Sequence, residues 1–81
     1  MLLDLNRNNP DNVAALSSLG RFGIQTGQFE KATARLEKAL QIEPSNIKVN
    51  CLLAQAYEGL GQMDKVKHFQ DICQSLAKAQ R

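Results

Sequence analysis

The sequence predicts an all-α fold of antiparallel helix–turn–helix units stacked side by side, and three observations carry that prediction. The first is an internal echo, because Gly27-Gln28 and Gly61-Gln62 lie 34 residues apart (61 − 27 = 34). At the same offset Pro10 aligns with Pro44, Asn12 with Asn46, Leu19 with Leu53 and Lys31 with Lys65. Val13 and Ile47, Phe29 and Met63, and Glu30 and Asp64 form conservative pairs between them. The second is that apolar residues recur at three-or-four-residue steps between those turn residues, which is the period of one helix face. The third is that no stretch alternates apolar and polar residues as a half-buried strand would. A fixed period punctuated by the same turn residues means stacked repeats rather than one globular core.

Each element can be justified from its ends. Asn12 precedes a helix over 13–26 and Asn46 a helix over 47–60. An asparagine there accepts a hydrogen bond from the orphan N–H groups of the first turn. Pro10 and Pro44 stop whatever helix precedes them and set an extended approach. Gly27 and Gly61 suit the left-handed residue that closes a helix. After each Gly-Gln a second helix begins, over about 29–42 and about 63–79. Glu30 and Asp64 put negative charge in the first turns of these helices, and Lys78 and Arg81 put positive charge near the last, both favourable to the helix dipole.

The apolar faces follow. The first helix carries Leu16, Leu19, Gly20 and Gly23, flanked by Phe22 and Ile24, and the second Ala32, Leu36, Ala39 and Leu40. The third carries Val49, Leu53, Ala56, Tyr57 and Leu60, and the fourth Val66, Phe69, Ile72, Cys73 and Leu76. Small residues (Gly20, Ala32, Ala39, Ala54, Cys73) stand where helix axes should approach closely while larger neighbours fill the gaps.

Bulk properties narrow the function classes. The chain is 81 residues, enough for one small domain with a modest core. Its 43% hydrophobic and 22% charged residues exclude a disordered segment. A net charge of +2 is too weak to predict a nucleic-acid partner, and RNA contact through Lys31, Lys38, Lys65 and Lys67 is the weaker alternative. No apolar run approaches the roughly 18 residues of a membrane span. Met1-Leu2-Leu3 runs straight into Asp4 without the basic region of a secretory signal, so a complete chain would be expected in the cytoplasm. Cys51 and Cys73 lack metal-ligand spacing and are expected to be small buried packers, with a disulfide open in principle.

An enzyme is not expected. His68 lies on the outer face of the last helix with no cysteine at a pairing spacing. Glu37, Glu43, Asp64 and Asp71 are isolated helix carboxylates, and no nucleophile–base–orienter set exists. Gly20, Gly23 and Gly27 lie in or at the end of a helix and form no phosphate loop. Neither a cofactor nor a metal site is expected.

Taken together the residues resemble the tetratricopeptide repeats, whose 34-residue pattern is W-x2-L-G-x2-Y, A-x3-F and a closing Pro. Leu16-Ser17-Ser18-Leu19-Gly20 stands for the first block with Leu for Trp, and Ala32 to Leu36 for the second with Leu for Phe. Ala39 and Pro44 complete the unit. Leu53-Ala54-Gln55-Ala56-Tyr57 and Gly61 repeat the pattern with its tyrosine. The resemblance implies a short right-handed superhelix, with residues 10–46 as the first repeat, 47–81 as the second, and 1–9 as the tail of a preceding one. Gly23 departs from the pattern where Tyr is expected, and a bare glycine inside a helix costs up to about 1 kcal/mol unless something packs on it. In the last repeat Val66, Gln70 and Lys78 depart from Ala, the aromatic and Pro. That marks a proline-free closing helix with a wet face of Lys67, His68, Gln70, Asp71, Gln74 and Ser75, as an array end requires. The expectation is the finishing end of a longer array, or a small protein that completes its core by self-association.

The resemblance further implies that the first helix of each repeat lines a concave groove for a peptide or partner protein. Its lining would be Ala14, Ser17, Arg21, Ile24, Gln25, Lys48, Cys51, Gln55 and Glu58. Arg21 is suited to grip a carboxylate with two parallel hydrogen bonds, and Lys48 would add a second positive charge. The two-carboxylate clamp by which some relatives hold chaperone tails is missing, so chaperone binding is not expected. The alternative function is self-association through an uncovered apolar face, with Leu2, Leu3, Leu5, Val13, Leu16 and Phe22 at the contact.

Overall fold

The computed structural model describes residues 12–79, and within them the chain forms four α-helices. These are α1 (Val13–Gln25), α2 (Phe29–Ile42), α3 (Ile47–Leu60) and α4 (Met63–Ala79). The expected tail at residues 1–9 and Arg81 lie outside the described residues. So do Leu2, Leu3 and Leu5 of the self-association face.

The helix ends follow the local chemistry. Asn12 and Asn46 are both extended, and their side-chain oxygens accept from the amides of Ala15 and Val49, each at 3.0 Å. Caps of this kind stabilise a helix by about 1 kcal/mol. Gly27 and Gly61 adopt φ of 80° and 76°, the left-handed region that a side chain would disfavour. α1 stops one residue before the expected boundary, with Thr26 as its cap, because Gly27 turns left-handed and the Gln28 amide bonds back to the Gly23 carbonyl at 2.7 Å.

Successive helices pack in order, α1 on α2, α2 on α3 and α3 on α4. α1 also touches α3, whereas α2 and α4 do not meet. The first helices of the two units therefore form an inner row and the second helices an outer row that splays apart. The core between the rows is Leu16, Ala32, Leu36, Ala39, Val49, Leu52, Leu53, Ala54, Ala56, Tyr57, Val66 and Phe69.

Small residues set the spacing at α1–α2. A Cβ added at Gly20 would come within 2.5 Å of Leu36, so the glycine lets that fully buried leucine lie against the α1 backbone. Gly23 is also buried, and what packs on it is Ala32, whose Cβ would stand 3.0 Å from a new Cβ there. The missing tyrosine is thus replaced by close approach of the two helices. At Gly59 an added Cβ would overlap the Phe29 ring, which closes the start of α2 onto the end of α3.

Three expectations about packing are corrected. Leu19 was placed on the apolar face, yet it is 44% exposed while its repeat partner Leu53 is fully buried. The difference is one of neighbours, since α3 packs against α1, α2 and α4, whereas α1 packs against α2 and α3 alone among the described helices. Leu16, assigned to an association face, is instead buried in the core, with Val13 only partly buried against it. The cysteines are not separate packers: Cys51 and Cys73 form a disulfide across α3 and α4 with Cα atoms 5.1 Å apart.

Candidate functional site

The inner row places the sequence-predicted groove residues in three different settings. Arg21 and Gln25 on α1, and Lys48, Gln55 and Glu58 on α3, are exposed, as is Ala14. Ile24 is half-buried and packs against the core. Ser17 is buried and Cys51 is half-buried, so these two do not serve as open groove contacts.

The reason lies in the repeat register. Subtracting 34 from the disulfide pair gives Ser17 and Ala39 (51 − 34 = 17; 73 − 34 = 39), and both of these are buried. At these positions the first unit carries two small buried side chains, and in the second two sulfurs bridge α3 and α4.

What remains on the inner row is a polar surface. Arg21 and Lys48 contribute positive charge, Glu58 negative charge, and Gln25 and Gln55 amides that both donate and accept. Lys48 also borders a shallow cleft formed with Glu43, Pro44, Ser45, Asn46 and Ile47. Such a surface can hydrogen-bond an extended backbone and pair with charged side chains. Among the described residues no group of three or more His, Cys, Asp or Glu is placed to hold a metal.

Two buried side chains hold this surface in shape, Asn50, which the sequence pattern left unmarked, and Tyr57, which it placed on the apolar face of α3. Asn50 is fully buried at the position occupied by Leu16 in the first unit (16 + 34 = 50). Its amide donates to the carbonyls of Asn46 at 2.9 Å and Pro44 at 3.2 Å, which ties the loop between units to the start of α3. Its Oδ1 is buried without a hydrogen-bond partner, a loss that such groups normally avoid. The 34-residue offset was the available signal, since it sets a polar residue on an apolar position.

Tyr57 is the other. It is buried, and its hydroxyl donates to the Glu37 carboxylate on α2. The Phe69 ring of α4 stacks on it at 5.7 Å, and the Lys65 ammonium lies 4.9 Å from its centroid. His68 meets Phe69 edge-on at 4.9 Å. One tyrosine therefore links three helices behind the inner row. Burial, then the hydrogen bond and charge of Glu37, push its pKa up to about 12.

Comparison with known proteins gives the family. The family profile described as a TPR repeat matches residues 24–61, and the one described as a tetratricopeptide repeat matches residues 47–80. The chain belongs to the tetratricopeptide-repeat family. A curated relative, the Protein CTR9 homolog of Arabidopsis thaliana, is 39% identical over 54 residues, which is 67% of this chain. The chain spans only 4% of that relative's length. No solved structure matches. Tetratricopeptide repeats generally mediate protein–protein interaction and are not catalytic modules in general. Among the described residues no helix is long and apolar enough to cross a membrane.

Proposed function

We propose that this chain is a non-catalytic interaction module that receives a peptide or partner segment along the inner row of α1 and α3. The observation that carries this reading is the contact between α1 and α3 while α2 and α4 stay apart, which makes the α1–α3 side the concave one. Arg21, Gln25, Lys48, Gln55 and Glu58 are exposed on those two helices, and Ile24 gives a partly buried apolar contact beside them. The chemistry favours a ligand with at least one carboxylate, held by Arg21 through paired hydrogen bonds and approached by Lys48. Selection from a displayed random-peptide library, followed by titration of the best binders, tests it. Arg21→Glu should weaken binding of the selected peptides by tenfold or more. Equal affinity for wild type and Arg21→Glu, with Lys48→Glu also silent, would sink the groove reading.

A second reading has its own observation. On α1 the side chains of Leu19 and Phe22 are 44% and 60% exposed, whereas Leu53 and Ala56 at the same repeat positions of α3 are fully buried. An apolar face of that kind supports self-association. Sedimentation velocity across a hundredfold range of concentration separates the two readings. A mass that rises with concentration and becomes constant in Phe22→Asp favours association, and a constant monomer mass removes it.

A further inference from the structure

The most unequal feature of the two repeats is how their helix pairs are held. α2 lies between α1 and α3, and its Ala32, Leu36 and Ala39 are all completely buried. α4 packs on α3 alone among the described helices, and its buried residues, Val66 and Phe69, both lie in its first half. Past Phe69 the side chains of Ile72, Cys73 and Leu76 are only half-buried, and Gln74, Ser75, Ala77, Lys78 and Ala79 are exposed. The disulfide enters at that weakly packed point. It joins the fifth residue of α3 to the eleventh of α4, so the covalent link sits where burial runs out.

We propose that the Cys51–Cys73 disulfide is a redox latch that fixes the second half of α4 against the start of α3. In the oxidised state, residues 72–79 are docked. In the reduced state the two thiols are small side chains at a half-buried crossing, and this stretch detaches while Val66, Phe69 and the Tyr57 stack keep the first half in place. The first repeat shows what an unlinked crossing needs at this position. Ser17 and Ala39 are both buried there, and Ala39 lies on α2, which packs on α1 and on α3, whereas α4 packs on α3 alone among the described helices.

The chemistry is thiol–disulfide exchange with a low-molecular-weight disulfide. A Cys thiolate attacks that disulfide, forming a mixed disulfide and expelling one small thiolate. The second Cys thiolate then attacks the protein sulfur of the mixed disulfide and expels the other. Two protein thiols lose two protons and two electrons as the Cys51–Cys73 bond forms, and the small disulfide is reduced to two thiols. Half-burial of both cysteines leaves the bond within reach of a small thiol.

Hydrogen–deuterium exchange on the whole 81-residue chain, equilibrated with reduced and oxidised glutathione at a series of ratios, tests the latch. The expected result is amide exchange in residues 74–79 at least tenfold faster in the reduced chain, with α1 and α2 changed less than threefold. A Cys51→Ala/Cys73→Ala variant should exchange like the reduced chain at every ratio. A uniform change over all four helices, no change in α4, or a response that persists in the double variant would each overturn the proposal. So would failure of the disulfide to form at any ratio.

Discussion

At the crossing of α1 and α2, Gly20 accepts Leu36 and Gly23 accepts Ala32, so that the helices are held by closeness. At the crossing of α3 and α4 the same register carries Ala54, Tyr57, Val66 and Gln70, together with a covalent bond. The first unit spends no side-chain volume at its tightest points, and its stability comes from leucine and alanine buried on both flanks of α2. In the second, α4 packs on α3 alone among the described helices, and an aromatic stack and the disulfide join the pair. The lesson is that a repeat sequence can be copied while the source of its stability changes with position in the array.

The largest test of this contrast uses one residue type at one repeat position. Leu53→Ala removes a fully buried side chain and should destabilise the chain by about 3 kcal/mol, read from urea unfolding midpoints. Leu19→Ala removes a side chain that is 44% exposed and should change stability by less than about 1 kcal/mol. Equal losses would mean that Leu19 is covered in solution, and the two faces would no longer differ.

Next comes the covalent bond. Reduction of the disulfide, whose ends are 22 residues apart, should lower the unfolding free energy by about 2 kcal/mol under the same denaturation assay. An unchanged midpoint would show that the aromatic stack alone suffices for the second unit.

The glycine and alanine at the paired positions should fail in opposite directions. Gly20→Ala gains helix propensity but drives a methyl into Leu36, for a net loss of about 1 kcal/mol. Ala54→Gly gives up propensity and packing together, and should lose about 1 kcal/mol as well. Thermal melts of the two variants check this, and a stabilised Gly20→Ala would show that Leu36 has room to move.

The smallest effect at neutral pH belongs to Tyr57. Its folded pKa of about 12 lies above the unfolded value of 10, so the folded state holds the proton more tightly. Stability is therefore fully present below pH 10 and falls as pH rises from 10 towards 12. Tyr57→Phe should flatten that decline relative to wild type in urea midpoints measured between these limits. A parallel decline in both proteins would assign it to other groups.

Much of the fold was legible because its signals are local. Asn12 and Asn46 cap, Gly27 and Gly61 turn, and the apolar steps give each helix its face, all within a few residues of one another. The misplaced residues depended on neighbours that are distant in sequence. Leu19 carries the same pattern as Leu53, and only the helix lying against α3 tells them apart. Ser17 and Cys51 share a register, yet Ser17 is buried and Cys51 is bonded to Cys73 on α4 once the helices have packed. The disulfide needed the α3–α4 geometry to bring two cysteines together, since their spacing alone allows other outcomes. The groove positions rest on the family resemblance, and titrations with Arg21→Glu and Lys48→Glu are what test them.

The link between Cys51 and Cys73 also changes what the chain does under tension. A pulling force applied at the ends runs through the bond and bypasses the 22-residue span between the cysteines. An extended residue contributes roughly 3.3–3.6 Å, so about 75 Å of contour stays hidden until the bond is broken. The turn at Gly61, most of α3 and the first half of α4 lie inside that loop and bear none of the load. Joined into a longer chain, this segment would yield in two lengths, a short one when the helices come apart and a long one when the sulfurs separate.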